Sequence, residues 1–126
     1  MITVLVDTSV WINHFRILNP RLIDLLESDS VLLHPLVIAE LACGTPPSRS
    51  NTLSDLSSLE KPHLPSLEEV MDFIERECLY GMGCGIVDMI LLASTIITSG
   101  SRLWTLDKRL LTLSEKFGVI YSPNLH

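Results

Sequence analysis

Hydrophobic residues occur along this chain in two arrangements: short unbroken runs, and residues spaced three or four positions apart. An unbroken apolar run is typical of a strand that is buried on both faces. The runs and shorter β-branched or aromatic stretches predict strands over residues 2–6, 31–34, 102–105 and 119–121. The helical spacing predicts helices over residues 10–15, 21–27, 35–43, 50–59, 67–78, 87–99 and 108–117. Strands alternating with helices favour an α/β sandwich around a short, mostly parallel sheet.

Local signals mark where several predicted elements begin and end. Ser66, followed three residues later by Glu69, forms a capping-box pattern that predicts a helix start. Gly81, Gly83 and Gly85 predict a tight loop before the apolar helix that follows. No stretch has the composition of an interdomain linker, so residues 1–126 are expected to form one domain.

The composition excludes several classes of protein. The chain has 126 residues, of which 47% are hydrophobic and 19% are charged, and a formal net charge of −6. This charge excludes nucleic-acid binding through general basicity. The longest apolar run, residues 89–97, is too short to span a bilayer, and the first residues lack a signal-peptide pattern. The three cysteines lack metal-ligand spacing and are expected to be buried free thiols. Together these features predict a cytoplasmic protein without membrane contact.

Two aspartates follow predicted strands. Asp7 comes directly after the first strand, and Asp107 lies just past the strand over residues 102–105. In a parallel α/β sheet, polar ligands bind beyond the carboxyl ends of the strands, so both carboxylates are expected at the same edge. Each aspartate has an alternative role as the N-cap of the helix that follows it.

Two further acids interrupt apolar helices. Asp88 lies near the start of a helix that is otherwise apolar on all sides, and Glu40 lies in a helix that is apolar on most sides. A buried carboxylate without a partner costs several kcal/mol or gives up its charge. Helix capping by Asp88 and an exposed position for Glu40 are the alternatives.

A bound divalent cation would offset the mutual repulsion of these four carboxylates. No Lys or Arg lies between Arg21 and Arg49 or between Arg76 and Arg102. Two carboxylates about 4 Å apart repel by about 4 kcal/mol at an effective dielectric of about 20. Oxygen ligands without Cys or His suit Mg²⁺ or Mn²⁺, and such ions commonly assist phosphodiester hydrolysis. The four acids therefore predict a metal-dependent enzyme that acts on phosphodiesters.

Four segments carry a family resemblance in the same order as the acids. They read VDTSVWI from Val6, VIAEL from Val37, GIVDMILLA from Gly85 and LWTLDKRL from Leu103. Together they resemble PIN-domain ribonucleases, and in particular the VapC-type toxins of bacterial toxin–antitoxin pairs. The resemblance spans nearly the whole chain.

This resemblance implies a PIN fold, a three-layer sandwich with a short, mostly parallel central sheet flanked by helices. It implies an Mg²⁺-dependent endoribonuclease, with Mn²⁺ as a possible substitute, that cuts structured RNA such as tRNA or rRNA. It also implies a homodimer that is inhibited by an antitoxin protein whose tail enters the acidic site.

The same resemblance assigns roles to individual residues. Asp7 and Asp88 match the principal metal ligands, and Glu40 and Asp107 match the remaining catalytic acids. Ser9 and Thr105 match the hydroxyls commonly found beside the site and are expected to contact substrate. Lys108 and Arg109 belong to a short basic segment that could hold RNA phosphates, with a solvated helix face as the alternative. Arg109 stands where some family members carry a further acid, which leaves the number of metal ions open.

Two other functions are compatible with the same residues. An acidic pocket without catalytic activity could bind a basic antitoxin peptide. Alternatively, Asp7 could form an aspartyl phosphate, as in phosphotransfer proteins with an aspartate after the first strand. That chemistry usually requires a second acid two residues later, where this chain has Ser9.

Overall fold

A computed structural model of the protein describes residues 2–123. Within these residues there are three β-strands, which are β1 (Thr3–Val6), β2 (Val31–Leu32) and β3 (Ser101–Trp104). The same range contains seven helices, which are α1 (Thr8–Arg16), α2 (Pro20–Glu27), α3 (Pro35–Ala42), α4 (Arg49–Ser57), α5 (Leu67–Arg76), α6 (Ile86–Ile97) and α7 (Lys108–Lys116).

The strands form one parallel sheet in the order β2-β1-β3. Val4 of the central strand pairs with Val31 of β2, and Val6 pairs with Trp104 of β3. Because the strands run the same way, their carboxyl ends lie at one edge of the sheet. The predicted α/β class with a short parallel sheet is confirmed.

Two predicted strands are shorter than expected. The stretch over residues 119–121 is reduced to one isolated bridge between Leu103 and Ile120. Two hydrogen bonds flank this bridge, from the Leu103 N–H to the Val119 carbonyl and from the Tyr121 N–H to the Leu103 carbonyl, so the pairing covers too few residues for a full strand. Strand β2 ends at Leu32 because the His34 side chain already accepts a hydrogen bond from the Leu36 backbone and caps α3.

Helices pack around an apolar sheet in two groups, α1 with α3 and α4, and α6 with α5 and α7. Residues Val4, Leu5 and Val6 of the central strand have no exposed surface, as expected for a strand covered on both faces. Trp11 and Trp104 are only 2% and 3% exposed. Burial of these two side chains therefore fixes the start of the chain after β1 and the end of β3 at the carboxyl edge of the sheet.

The start of helix α5 follows the predicted signal. Ser66 and Glu69 form the complete capping box at the start of α5.

Cys43 and Cys78 are exposed and Cys84 is half-buried, so the prediction of three buried thiols is wrong. Cys43 and Cys78 lie in the turns that follow α3 and α5, where no helix face covers them. Among residues 2–123, no helix has the length and apolar character needed to cross a membrane.

Candidate active site

Asp7 lies at the point where β1 ends and α1 begins. Its backbone N–H donates to the carbonyl of Trp104 at 2.9 Å, so the residue is fixed to the sheet, and its side chain is 7% exposed. Although Asp7 occupies the N-cap position of α1, its carboxylate makes no capping hydrogen bond. The capping alternative for this side chain is therefore wrong, and the carboxylate is held by other donors.

Two hydroxyl groups orient the Asp7 carboxylate. Ser9 Oγ and Thr105 Oγ1 both donate to Asp7 Oδ2, at 2.7 and 2.8 Å. Each hydroxyl oxygen also accepts a backbone N–H, that of Leu106 for Ser9 and that of Asp107 for Thr105, both at 3.0 Å. The structure thus uses both hydroxyls to join the start of α1 to the segment after β3. Both hydroxyls therefore position Asp7, and the contact with substrate expected for Ser9 and Thr105 stays a prediction.

Asp107 is the N-cap of α7. Its Oδ1 atom accepts hydrogen bonds from the backbone N–H groups of Arg109 and Leu110, both at 3.0 Å, which confirms the capping alternative. The side chain is nevertheless exposed, and Oδ2 accepts no hydrogen bond from the described part of the chain. Capping and ligand binding are compatible here, because they use different oxygens.

Glu40 is exposed, so the expectation of a carboxylate buried in an apolar helix is wrong at this position. Helix α3 buries Val37 and Leu41, and Glu40 lies on the side of the helix away from that core contact. Thr8 Oγ1 donates to Glu40 Oε1 at 2.6 Å and so ties the carboxylate to the first turn of α1, one residue after Asp7.

Asp88 lies half-buried in the first turn of α6 and couples the four acids electrostatically. Burial raises the pKa of Asp88, and the negative charges of Asp7 and Asp107 raise this pKa further. A hydrogen bond from the Gly85 backbone lowers it, and the charge of Glu40 makes the smallest contribution and raises it. The structure therefore brings together the acids that the sequence singled out. We call Asp7, Glu40, Asp88 and Asp107 the acidic rim.

Within residues 2–123, no basic side chain forms an ion pair with the acidic rim. The only ion pair in this range joins Arg76 and Glu77 at the end of α5, at 3.6 Å. In the same range, no three Asp, Glu, His or Cys side chains already form a set that could hold a metal ion. Mg²⁺ is commonly held by only one or two carboxylates together with water and substrate phosphate, so a complete protein cage is not required.

A thiol and a guanidinium lie near the acidic rim. The thiol belongs to Cys84 in the loop before α6, and the guanidinium belongs to Arg109 of α7. Burial raises the pKa of Cys84, as do the charges of Asp88 and Asp107, whereas the charge of Arg109 lowers it. The Arg109 side chain reaches back to this loop and donates from Nη1 to the Gly83 carbonyl at 3.3 Å. Lys108, the second predicted RNA contact, is exposed at the start of α7.

Sequence reasoning missed two residues that organise this site. No predicted role in the site falls on Thr8, yet its hydroxyl holds Glu40, which is 32 positions away in sequence. Gly83 was interpreted only as a loop residue, yet its missing side chain leaves the space that Arg109 occupies. Neither contact leaves a local pattern, because both depend on how distant segments pack.

The fold and the site define an α/β protein with four coupled acids at the carboxyl edge of a parallel sheet. The chain belongs to the PIN-domain family, whose model matches residues 4–116. Over 116 residues it is 44% identical to Ribonuclease VapC32 of Mycobacterium tuberculosis, from strains CDC 1551 / Oshkosh and ATCC 25618 / H37Rv. The match covers 92% of this chain and 94% of each relative. The resemblance to VapC-type PIN-domain ribonucleases is confirmed.

A solved structure supports the fold independently. The crystal structure of PAE2754 from Pyrobaculum aerophilum superposes with a TM-score of 0.58 and 22% sequence identity. The match covers 93% of this chain and 96% of that one. At this identity the likeness supports the PIN-like sandwich alone and assigns no activity.

Proposed function

We propose that this chain is an Mg²⁺-dependent endoribonuclease, the toxin of a toxin–antitoxin pair, which hydrolyses phosphodiester bonds in structured RNA such as tRNA or rRNA. One observation carries the proposal: Asp7, Glu40 and Asp107 converge with the half-buried Asp88 at the carboxyl edge of the sheet, where no basic side chain of residues 2–123 forms an ion pair with them. Carboxylates held out of water without a counter-ion are costly, and such groups concentrate at functional sites. The relationship to Ribonuclease VapC32 supports RNA as the substrate class.

The chemistry of the available donors fits a hard divalent cation. Asp7, Glu40 and Asp107 each have one carboxylate oxygen that accepts from a neighbouring hydroxyl or backbone N–H. Their second oxygens accept no hydrogen bond from residues 2–123 and are available to an ion or its water ligands. Cys84 is a soft donor near these acids, but the oxygen donors outnumber it, which suits Mg²⁺ or Mn²⁺ better than Zn²⁺.

Each residue of the acidic rim has a distinct proposed role. Asp7 and Asp88 would hold the ion, and Glu40 and Asp107 would complete the pocket directly or through water. When bound, a divalent ion activates water and stabilises the charge that develops on the leaving oxygen. Ser9 and Thr105 keep the Asp7 carboxylate in one orientation, which avoids the cost of ordering it when substrate binds.

Cleavage of a mixed pool of tRNA and rRNA tests this proposal. We expect the wild-type protein to cut the pool in Mg²⁺ and to lose activity when EDTA removes the ion. Asp7→Asn should cut at least about 100 times more slowly, because it loses a charged ion ligand at the centre of the site. Asp24→Asn, the same change at an exposed position of α2, is the matched control and should remain active.

Three outcomes would contradict the proposal. Equal cleavage by the wild-type protein and Asp7→Asn would exclude the acidic rim as the catalytic site. Cleavage that survives EDTA would exclude the metal. Intact RNA in both Mg²⁺ and Mn²⁺, combined with tight binding of a basic peptide, would instead indicate a non-catalytic binding module.

The proposal extends to the setting in which the enzyme acts. Residues 1–126 would form one PIN domain that assembles as a homodimer in the cytoplasm. A cognate antitoxin with a basic segment would inhibit it, because the unpaired negative charge of the acidic rim attracts cationic side chains. Co-expression with that antitoxin should abolish RNA cleavage and allow the two proteins to be purified together.

A further inference from the structure

Arg109 is exposed, but its side chain packs directly against Gly83. A Cβ atom built on Gly83 would lie 2.8 Å from Cδ and 2.9 Å from both Nε and Nη1 of Arg109. The guanidinium also donates from Nη1 to the Gly83 carbonyl at 3.3 Å. The absent side chain of Gly83 therefore creates the surface on which the arginine lies, and two kinds of contact fix its direction.

The fixed guanidinium lies beside the acidic rim without being paired to it. The charges of Asp88, Asp107 and Arg109 all act on the half-buried thiol of Cys84, so the guanidinium lies near two acids of the rim. Within the described residues Arg109 forms no ion pair with any acid, and only one of its five N–H donors makes a hydrogen bond. The remaining N–H donors make no hydrogen bond within the described residues and are available to a ligand.

We propose that Gly83 positions Arg109 so that its guanidinium binds a phosphate of the RNA strand that the acidic rim cleaves. This inference rests on the proposed ribonuclease function, and it adds a positioning role for Gly83 that no motif indicated. A guanidinium that is already held in place loses less side-chain freedom on binding a phosphate, and its planar fork matches two phosphate oxygens.

The glycine loop contains its own control residue. Gly81 and Gly83 both adopt positive φ, +73° and +85°, so alanine is strained by the backbone at either position. A Cβ at Gly81 would meet nothing within 4 Å, whereas at Gly83 it would displace the end of the Arg109 side chain. The two alanine variants therefore share the backbone strain and differ in whether Arg109 must move.

Cleavage kinetics on the mixed tRNA and rRNA pool test this inference. We expect Gly83→Ala to lower kcat/KM about tenfold, mainly through KM, because one charge-assisted phosphate contact is misplaced. Gly81→Ala should stay within about twofold of the wild-type protein, with a similar fall in Tm. Removing one phosphate contact should also reduce the salt dependence of log kcat/KM by about 0.7 to 0.9 per decade of salt. A merely structural role would not change this slope.

A double variant separates positioning from damage to the loop. Once Arg109→Ala has removed the guanidinium, Gly83→Ala should cost no more than Gly81→Ala does in the same background. Equal losses in the two glycine variants of the otherwise wild-type protein, or an unchanged salt slope, would overturn the role of Gly83 and leave the ribonuclease function intact. Absence of cleavage by the wild-type protein would overturn the proposed function and this inference with it.

Discussion

Two regions of this protein are rich in acidic side chains, and the environment acts on them in opposite ways. In the acidic rim, burial and neighbouring negative charge raise the pKa of Asp88. On the exposed surface of α5, hydrogen bonds from the backbone and side chain of Ser66 lower the pKa of Glu69. The α5 region, including the residue that follows the helix, carries Glu68, Glu69, Asp72, Glu75 and Glu77.

The difference comes from topology rather than from the number of charges. The α5 acids follow one another along one exposed helix, where water screens them and the capping box gives Glu69 a favourable partner. The rim acids come from the ends of β1 and β3 and from two helices, and the fold brings them to one edge of the sheet. Local acidity therefore does not define a candidate metal site, whereas convergence of distant acids without a counter-ion does.

The largest expected difference between the two regions is in catalysis. Asp88→Asn removes a proposed ion ligand and should slow RNA cleavage at least about 100-fold. Asp72→Asn makes the same chemical change on α5 and should leave the rate unchanged. Initial rates in Mg²⁺ on the tRNA and rRNA pool measure both effects.

A comparable loss in the Asp72→Asn variant would break the comparison, because it would show that overall acidity matters more than position. Circular dichroism spectra should match the wild-type spectrum in both variants, which separates a loss of activity from a loss of fold. Retained activity in Asp88→Asn would remove this residue from the proposed ligand set.

A smaller effect is expected where a hydroxyl only orients an acid. Thr105→Val keeps the shape of the side chain but removes the 2.8 Å hydrogen bond to Asp7, and it should slow cleavage about tenfold. Thr112→Val removes an exposed hydroxyl that donates to the Lys108 carbonyl in α7 and provides the matched control. Steady-state rates across a range of Mg²⁺ concentrations measure the effect. Equal losses in the two variants would exclude a specific role for Thr105.

The acids could be predicted from sequence because each one violates a simple expectation or follows a general rule. Asp7 and Asp107 follow strands of a parallel sheet, and Asp88 interrupts an apolar helix. Glu40 belongs to the acidic rim as predicted, but the predicted burial is wrong, since its side chain is exposed and is held by Thr8. The apolar composition of α3 as a whole does not show which side of this helix lies against the core.

The supporting contacts could not be predicted because they join distant parts of the chain. Ser9 and Thr105 meet at Asp7 across 96 positions of sequence, and Arg109 meets Gly83 across 26. Hydroxyls, glycines and arginines have many roles in proteins, so their identity alone does not select one. The bridge at Ile120 was overestimated as a strand for a related reason, since its apolar pattern predicts burial but not the number of paired residues.

The smallest expected effect is on stability, and its sign separates the two acidic regions. A carboxyl whose pKa is raised by folding destabilises the protein once pH exceeds its ordinary value, which is 3.8 for Asp88. In EDTA, Asp88→Asn should therefore raise Tm at neutral pH, and the gain should vanish in acid. For Glu69, whose pKa is lowered, the stabilisation exists above 4.5 and is lost as pH falls, so Glu69→Gln should lower Tm slightly at neutral pH. Thermal unfolding at several pH values measures both shifts. Shifts of the same sign would contradict the contrast between the regions, because an Asp88 carboxylate stabilised by its surroundings would need no ion to offset its charge.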